Sequence, residues 1–422
     1  MQIQIPYGRS TLTASLADDL QVDFLDPAES SAAPDPLGVV SLALDSPLGE
    51  IQLSSFGGAK SIAIAVNDKT RPVPHQYLLP PLLERLEAAG IAPDAVHFIV
   101  AVGLHGPMAV EEFSSILPEA VLKRYRVISH NARDASQLVY LGETSHRTPV
   151  WVNKHFMQAE VRIVIGNIEP HQYVGFSGGV KTAAIGLGGA DTIQRNHSML
   201  TLPGSRLGEY ETNPARQDVE EIGLKIGVHF AVNAILNQQK QIVQVLAGNP
   251  QAVMRAGIPL SRQVCQLAVP EPYDLLIVSP GGHPKDINLY QAQKGLAHAA
   301  LVMRPGGTMI LAAACPEGIG SQGYETWMQG MTSNEQVLER FSREAFQVGP
   351  HKAYLIARDT ANIHLVFISD LDPGKARSML LAPGENLQKA VDLALAGLPK
   401  GSRIGILSHA ASTIPYLQSR VQ

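Results

Sequence analysis

The amino-acid sequence predicts an α/β protein of two domains, each with a mostly parallel sheet flanked by helices, and an active site in the crevice between them. The chain has 422 residues, more than one ordinary hydrophobic core accommodates. Short apolar segments alternate with helical patterns in both halves, which is typical of parallel sheets. Apolar residues make up 45% of the chain and charged residues 17%, as in folded globular proteins.

The first half contains three segments that indicate buried strands. Residues 61–67 (SIAIAVN), 96–102 (VHFIVAV) and 161–167 (VRIVIGN) are short apolar runs rich in β-branched residues, the pattern of strands covered on both faces. After the first of them, HQYLLPPLLERLEAAG predicts a helix that glycine closes. Residues 1–56 are interpreted as short strands and polar loops.

The second half repeats the alternation. A helix is predicted from about Ile287 to Met303. Strands are predicted at 273–279, 308–314, 363–369 and 403–409. The segment AVPEPYD interrupts the periodicity before the first of these strands. We therefore predict domains at 1–268 and 269–422, with about the last 15 residues open to a return to the N-terminal domain.

Composition and charge exclude several classes of protein. The formal net charge is −5 and no basic run occurs, so no nucleic-acid partner is expected. No apolar stretch is long enough to span a bilayer, and the start MQIQIPYGRS shows no secretory signal, so we expect no membrane partner. The two cysteines, Cys265 and Cys315, do not form a disulfide scaffold pattern and fit a cytoplasmic location.

Polar side chains follow each of the three predicted strands of the first half. Asp68 and Arg71 follow the first strand, His105 the second, and Glu169 and His171 the third. Ligands of open α/β sheets bind outside the carboxyl ends of the strands. We therefore expect these side chains to converge on one site.

The two histidines and the arginine suggest chemistry on a small acid. His105 and His171 are candidate general acids and bases, and their separate strand ends suit a reaction that handles a proton on either face of a carbon. Arg71 can clamp a carboxylate or phosphate, and Asp68 can orient it or fix a cofactor. The alternative is that the histidines are ordinary core or surface residues and that the arginine belongs to a loop salt bridge.

A glycine-rich stretch, residues 168–189, carries a lysine. It narrowly misses the phosphate-binding pattern G-x-x-x-x-G-K-[ST], since Val180 occupies the position of the second glycine. Lys181 lies near the start of a predicted helix, whose dipole disfavours the ammonium form, and a neutral amine can form covalent adducts. His197 is a candidate metal ligand. A tight glycine turn with a surface lysine is the alternative.

One helix of the second half carries a polar face. Tyr290, Gln291 and Lys294 lie at about 0°, 100° and 40° around the predicted helix. The face either is solvated or closes over the site of the first domain.

These segments together resemble a known family. NDKTRPVP, GLHGPM, IEPHQYVGFSGGVKT, RNHSML and LYQAQKG are similar, in order and spacing, to the lactate racemase family that uses a nickel-pincer nucleotide. The resemblance implies that the cofactor, a pyridinium-3-thioamide-5-thiocarboxylic acid mononucleotide carrying nickel, is covalently bound to Lys181. It also implies that His197 is the protein ligand to nickel, which imidazole with sulfur suits.

The resemblance further implies a racemase or epimerase of a 2-hydroxy acid, lactate or a related larger acid. His105 and His171 would take the hydroxyl proton of either enantiomer, while the Cα hydride moves to the cofactor and a 2-keto acid forms. Arg71, Gln291 and Lys294 would hold the substrate carboxylate, and Asp68 and Tyr290 would belong to the cofactor shell. The expected partners are the substrate and cofactor-biosynthesis enzymes, with a homodimer as a candidate assembly.

The chain also departs from the family pattern. It has GLHGP where the family often has GTHRP, and GGVKT where it often has GGRKS. The four differing residues are expected to alter room and charge near a base and the tether; they are Leu104, Gly106, Val180 and Thr182.

Three other functions stay open on the sequence. One is a metal-dependent hydrolase that uses His105, His171 and His197. Another is a non-catalytic phosphate- or nucleotide-binding protein that uses GFSGGVKT. The third is a family member that has lost the cofactor and only binds a ligand.

Overall fold

The computed structural model describes residues 1–26 and 30–418. The chain divides into two compact units, which we call the terminal unit (Met1–Ala28 with Cys265–Gln422) and the central unit (Glu29–Val264).

The strands of the described residues are, in chain order, β1 (Gln2–Tyr7), β2 (Ser10–Ser15), β3 (Val22–Phe24), β4 (Ile62–Asn67), β5 (Val96–Ala101), β6 (Arg126–Ser129), β7 (Leu138–Glu143), β8 (Pro149–Asn153), β9 (Val161–Asn167), β10 (Pro170–His171), β11 (Gly175–Phe176), β12 (Phe230–Leu236), β13 (Ile242–Gly248), β14 (Gln266–Val269), β15 (Tyr273–Val278), β16 (Met303–Ala312), β17 (His364–Ile368), β18 (Ala382–Pro383), β19 (Ile404–Leu407) and β20 (Ile414–Leu417).

The α-helices of the same residues are α1 (Pro36–Asp45), α2 (His75–Ala88), α3 (Glu119–Arg124), α4 (Lys154–Gln158), α5 (Lys181–Ala184), α6 (Ala190–Ser198), α7 (Pro214–Ile226), α8 (Pro250–Cys265), α9 (Leu289–Ala300), α10 (Gln322–Trp327), α11 (Asn334–Arg343), α12 (Pro350–Thr360), α13 (Pro373–Ser378) and α14 (Leu387–Ala396). None of them is both long and apolar enough to cross a membrane.

The central unit is built on a six-stranded sheet in the order β13-β12-β9-β4-β5-β6. All neighbouring pairs are parallel except β12 and β13, which are antiparallel. Residues of β4 alternate between two cores: Ile62 and Ile64 face one, whereas Ala63 and Ala65 face the other. Burial on both faces explains why the strands of this sheet are continuous apolar runs.

Small side chains on one face of the sheet let a helix approach closely. The short helix α5 packs on β4 and β9, and α7 packs on α5. Helix α7 begins where the Asn213 side chain accepts a hydrogen bond from the Arg216 amide, and it ends at Gly227 in the left-handed conformation. This layer carries Lys181 of the predicted site.

The terminal unit is built on a six-stranded parallel sheet in the order β18-β17-β16-β15-β19-β3. Its core combines strand residues such as Leu275 and Ile277 with Ile3 and Ile5 of the β1–β2 hairpin. Together the two units confirm the predicted α/β class with two mostly parallel sheets flanked by helices.

The division of the chain differs from the predicted one. Residues 1–26 contribute to the terminal unit rather than to an N-terminal domain, because β3 pairs with β19 and the β1–β2 hairpin covers that unit's core. The C-terminal strand β20 pairs with β14 of the same unit, while residues 419–422 lie outside the described residues. Residues 1–56 also contain a helix, α1, which begins with an Asp35 cap and Pro36 in the first turn.

Candidate active site

Three neighbouring strands of the central unit deliver the predicted polar side chains to one edge of the sheet. Strand β4 lies between β9 and β5, and all three run parallel. Asp68 and Arg71 therefore follow the middle strand, with His105 after one neighbour and His171 after the other. The order of these strands thus places the segment that carries Arg71 between the segments that carry the two histidines.

His105 is paired with a buried carboxylate. Its Nδ1 lies 2.7 Å from Asp68 Oδ2, and its side chain is 56% exposed whereas that of Asp68 is 5% exposed. Thr70 donates to the other carboxylate oxygen from its hydroxyl at 2.6 Å and from its amide at 3.1 Å. Burial opposes ionisation of Asp68, yet the hydrogen bonds from His105 and Thr70 hold the pKa of its carboxyl below the ordinary value. Asp68 thus orients His105 and presents Nε2 outward.

His171 and His197 contact the same tyrosine. The ring centroids of His171 and Tyr173 lie 4.8 Å apart, and those of Tyr173 and His197 lie 5.2 Å apart, both edge to face. His171 stands in the two-residue strand β10, which pairs with β11. The Val174 amide donates to His171 Nδ1 at 3.5 Å, the long limit of a hydrogen bond. Tyr173 therefore links a predicted base to the predicted metal ligand.

His197 lies in the last turn of α6 and is held neutral. Its Nδ1 lies 3.1 Å from the side-chain oxygen of Asn196. Burial lowers the pKa of the ring to about 3, and the charges of Lys181 and Arg71 add to this. A neutral imidazole whose Nδ1 is held by an oxygen is the form that ligates metals through Nε2.

Lys181 is the first residue of α5 and is half-buried. Burial lowers the pKa of its amine to about 7. The positive charges of Arg71 and Arg216 lower the pKa as well, whereas the charge of Glu169 raises it. The helix dipole invoked from the sequence is a small contributor, because α5 has only four residues. The amine is thus partly neutral near pH 7, as a nucleophile must be.

A buried arginine fixes the glycine-rich segment before Lys181. The fully buried Arg216 donates from Nη1 to Phe176 O at 2.8 Å and from Nη2 to Gly178 O at 3.2 Å, and it pairs with Glu220. Gly175 has a φ of +71°, and a Cβ there would lie 1.5 Å from the carbonyl oxygen of Glu209. Only glycine allows this backbone contact.

The same segment is not arranged as a phosphate-binding loop. The Gly179 amide donates to Asn233 Oδ1 at 2.8 Å, the Ser177 amide to Glu169 O, and the Lys181 amide to Gly178 O. A phosphate-binding loop directs such amides at the ligand. Since these donors are used inside the protein, the structure does not favour the phosphate-binding function.

Two of the four residues that depart from the family pattern, Val180 and Thr182, are buried. Val180 is buried against Gly223 of α7, whose hypothetical Cβ would lie 2.4 Å from Val180 Cβ. Thr182 is buried and donates to Ile165 O. Both side chains pack inside the central unit, and their expected effect on room and charge near the tether stays a prediction. At Gly106, by contrast, a Cβ would meet nothing within 4 Å, so space is open beside His105.

The predicted residues of the terminal unit lie together on α9. Lys294 Nζ donates to Gln291 Oε1 at 2.8 Å, and the ammonium of Lys352 lies 4.8 Å from the ring centroid of Tyr290. All three predicted residues are half-buried. The amides of Leu289 and Tyr290 donate to carbonyls at 318 and 319, so the start of α9 offers side chains rather than those amides to a ligand.

The three candidate histidines do not form a metal site of their own. Among residues 1–26 and 30–418, no group of three or more His, Cys, Asp or Glu side chains is arranged to hold a metal ion. A zinc hydrolase needs about three such ligands. The arrangement therefore does not favour the hydrolase function.

Sequence reasoning missed several residues around the site. Tyr173 and Lys352 contact predicted residues, and Arg216 binds the carbonyl of Gly178 before Lys181, yet none stands at the end of a predicted strand. Tyr173 lies within the quoted segment IEPHQYVGFSGGVKT, which was the one signal that could have identified it. Nothing local marks the other two.

Comparison with known proteins covers nearly the whole chain. Residues 7–208 match the family model for the lactate racemase N-terminal domain, and residues 269–414 match that for the lactate racemase C-terminal domain. A lactate racemase from Thermoanaerobacterium thermosaccharolyticum is 27% identical, with 98% of each chain covered. A lactate racemase from Lactiplantibacillus plantarum is 28% identical, with 98% of this chain and 99% of the relative covered.

Solved structures show the same relationship. The lactate racemase apoprotein from T. thermosaccharolyticum has a TM-score of 0.90 at 27% identity and covers 98% of this chain and 100% of its own. A Thermotoga maritima protein has a TM-score of 0.64 at 18% identity, covers 93% of this chain and 100% of its own, and shares the fold alone.

Proposed function

Because the chain belongs to the lactate racemase family, we propose that it interconverts the two configurations at Cα of a 2-hydroxy acid, lactate or a related larger acid. We propose further that it does so with a nickel-pincer nucleotide attached to Lys181. The relatives named lactate racemase align with 98% of this chain, which supports the reaction class.

The observation that carries the proposal is that two histidines follow the two neighbours of the strand that precedes Arg71. His105 and His171 follow β5 and β9, the two neighbours of β4. Strands lie about 4.8 Å apart, so the two strand ends are separated by about 10 Å of backbone, room for one small acid between two side chains. A racemase needs two such bases, because the two enantiomers of its substrate place the hydroxyl group on opposite sides of the reacting carbon.

Each histidine handles the hydroxyl proton of one enantiomer. His105 accepts that proton at Nε2, because its Nδ1–H donates to Asp68, and the carboxylate stabilises the imidazolium that results. His171 acts on the opposite side and returns a proton to the product hydroxyl. Arg71 binds the substrate carboxylate bidentately, and we extend this carboxylate-binding role to Gln291 and Lys294.

The residues present fit the proposed cofactor. Lys181 offers an amine whose pKa of about 7 permits covalent attachment, and His197 offers one neutral imidazole for nickel. A group that brings its own sulfur and carbon ligands needs only one protein ligand, in keeping with the single histidine. When bound, the group supplies a hydride acceptor, which avoids a carbanion beside an ionised carboxylate. In this arrangement Asp68 orients His105, and Tyr290 is left with the cofactor-shell role implied by the resemblance.

The space beside His105 supports a substrate larger than lactate. Gly106 leaves room where a larger residue would project, while Leu104 is half-buried against the core of the central unit. We propose that 2-hydroxy acids with side chains larger than methyl are accepted as well as lactate.

The test is the intact mass and nickel content of the protein co-expressed with the cofactor-biosynthesis enzymes, together with chiral analysis of lactate and larger 2-hydroxy acids. We expect an adduct of nucleotide size on Lys181, about one nickel per chain, and racemisation. Lys181→Ala should remove the adduct, whereas the exposed control Lys225→Ala should keep it. An unmodified wild-type chain with zinc or no metal, or an adduct that persists in Lys181→Ala, would contradict the proposal.

A further inference from the structure

Behind His197 lies a buried chain of hydrogen bonds that the racemisation scheme does not use. The side chain of Asn196, which contacts His197 Nδ1, donates from Nδ2 to Asp218 Oδ2 at 2.9 Å and to Ala215 O at 2.9 Å. Both Asn196 and Asp218 are fully buried. Asp218 is thus connected to the proposed nickel ligand, His197, by hydrogen bonds through the side-chain amide of Asn196.

The carboxylate of Asp218 is an acceptor of hydrogen bonds from three side chains. Besides Asn196, Thr144 donates its hydroxyl to Oδ1 at 2.5 Å, and Thr148 donates its hydroxyl to Oδ2 at 3.0 Å. The Thr144 oxygen accepts from the Thr148 amide at 3.1 Å, so its hydroxyl hydrogen points to Asp218. All three of these side chains are therefore donors to Asp218.

This arrangement determines which way the Asn196 amide points. Its two amide hydrogens are both used, one by Asp218 and one by Ala215 O. The opposite orientation would place the amide oxygen against the carboxylate oxygen of Asp218 and would leave Ala215 O without this donor. Two acceptors facing each other in a buried place are costly. The amide oxygen must therefore face His197.

An oxygen that can only accept selects the tautomer of the ring. Because Asn196 Oδ1 accepts, His197 Nδ1 carries the hydrogen and Nε2 carries the lone pair. We propose that Asp218 is a positioning residue that selects the metal-ligating tautomer of His197 through Asn196. The functional meaning of this inference rests on the proposed role of His197 as nickel ligand, whereas the selection itself is a property of the protein without cofactor.

The decisive variant is Asp218→Asn, which keeps the shape and removes the charge. An amide at 218 can donate as well as accept, so the flipped orientation of Asn196 then loses only its bond to Ala215 O, and Nδ1 of His197 can lose its acceptor. The double variant Asn196→Asp/Asp218→Asn restores an obligate acceptor beside Nδ1, although it loses the donor to Ala215 O. Thr148→Val is the matched control, because it removes a donor from the same carboxylate but leaves the orientation of Asn196 unchanged.

The readout is the tautomer of His197 in the apoprotein, taken from long-range ¹H–¹⁵N correlation spectra of histidine-labelled protein near neutral pH, with His197→Gln to assign the signals. We expect the Nδ1–H form in the wild type, in Thr148→Val and in the double variant. Asp218→Asn should populate the Nε2–H form. If Asp218→Asn does not fold, Asn196→Leu takes its place, and it too should populate the Nε2–H form.

A second readout is nickel retention against a chelator in protein that carries the Lys181 adduct. Loss of a group that orients a metal ligand weakens binding by roughly 10- to 100-fold. We expect that loss in Asp218→Asn, recovery in the double variant, and an unchanged adduct mass in both. Asp286→Asn, a fully buried aspartate of the terminal unit, serves as the control for burial of a neutral amide.

The outcomes separate this inference from the proposed function. A folded Asp218→Asn or Asn196→Leu protein that keeps only the Nδ1–H form would overturn the inference, as would a wild type in the Nε2–H form. A wild type that shows the Nδ1–H form but takes up no nickel would instead contradict the proposed function, and the tautomer selection would stand.

Discussion

Two histidines of the central unit use Nδ1 in the same way but with opposite consequences. His105 donates to the carboxylate of Asp68 and is half-exposed, whereas His197 donates to the neutral amide of Asn196 and lies where burial and two cations lower the pKa of its ring to about 3. A carboxylate partner stabilises a ring that gains a proton, while a neutral partner in a positively charged, buried place keeps a ring neutral. The difference teaches that the partner at Nδ1, more than the histidine itself, suits one ring to the proposed proton transfer and the other to the proposed metal binding.

The most direct test of the two roles replaces His197 or His105 with glutamine. We expect His197→Gln to lose nickel and all turnover while it keeps the Lys181 adduct. His105→Gln should keep both nickel and adduct yet lose turnover by roughly 10²- to 10⁴-fold, the usual contribution of a general base. Metal analysis, intact mass and chiral assays on the same samples check this. Equal loss of nickel in both variants would show that the two rings do not have separate roles.

A smaller change exchanges only the partner. Asp68→Asn gives His105 the kind of neutral partner that His197 has, so the imidazolium loses its stabilising charge. We expect a fall in kcat of roughly 10²-fold with little change in KM, because the carboxylate acts on the proton-transfer step and not on binding. Thr70→Val leaves the contact between Asp68 and His105 in place and should retain most activity. A kcat for Asp68→Asn close to that of the wild type would show that the charge of Asp68 does not assist His105.

The parts of this site that the sequence predicts are those carried by continuous strands or by one segment. Strands β4, β5 and β9 were predictable because burial on both faces makes them unbroken apolar runs, and the residues after them share one sheet edge. Lys181 and His197 were candidates from the glycine-rich segment and the histidine after it, and their tether and nickel-ligand roles followed from the resemblance. Their neighbours follow instead from tertiary contacts, such as that between Thr144 and Asp218, which are 74 residues apart.

The direction of individual side chains was also beyond the sequence. Val180 and Lys181 are adjacent, but neighbouring residues at the start of a helix point about 100° apart, so one faces the core and the other the site. Likewise, the pairing of β3 with β19 places the N-terminal segment in the terminal unit by a contact between residues almost 400 positions apart. Periodicity reports burial along one element and carries no information on such distant partners.

The smallest expected effect concerns stability. It extends the comparison to Lys181, whose amine, like the ring of His197, is buried near the positive charge of Arg71. The pKa of its amine is about 7 in the folded protein because of burial and the charges of Arg71 and Arg216, against 10.5 for an ordinary lysine. Between these two pH values the unfolded chain binds more protons than the folded one, so wild-type stability rises with pH in that window. Below about pH 7 the full penalty on folding is present, and near pH 10.5 it has vanished.

Lys181→Met removes this titration. Relative to the wild type, the variant should gain stability on the order of 2 kcal/mol at pH 7, after allowance for solvent screening of a half-buried group, and the gain should shrink as pH rises. Urea unfolding of both proteins from pH 6 to 9.5 measures the difference, with the exposed Lys225→Met as the matched control that should show no such slope. A pH-independent difference between Lys181→Met and the wild type would mean that the amine is not destabilised in the fold. Burial and the nearby charges would then not explain a reactive amine at Lys181. They would also no longer explain why Lys181 and His197 are both neutral.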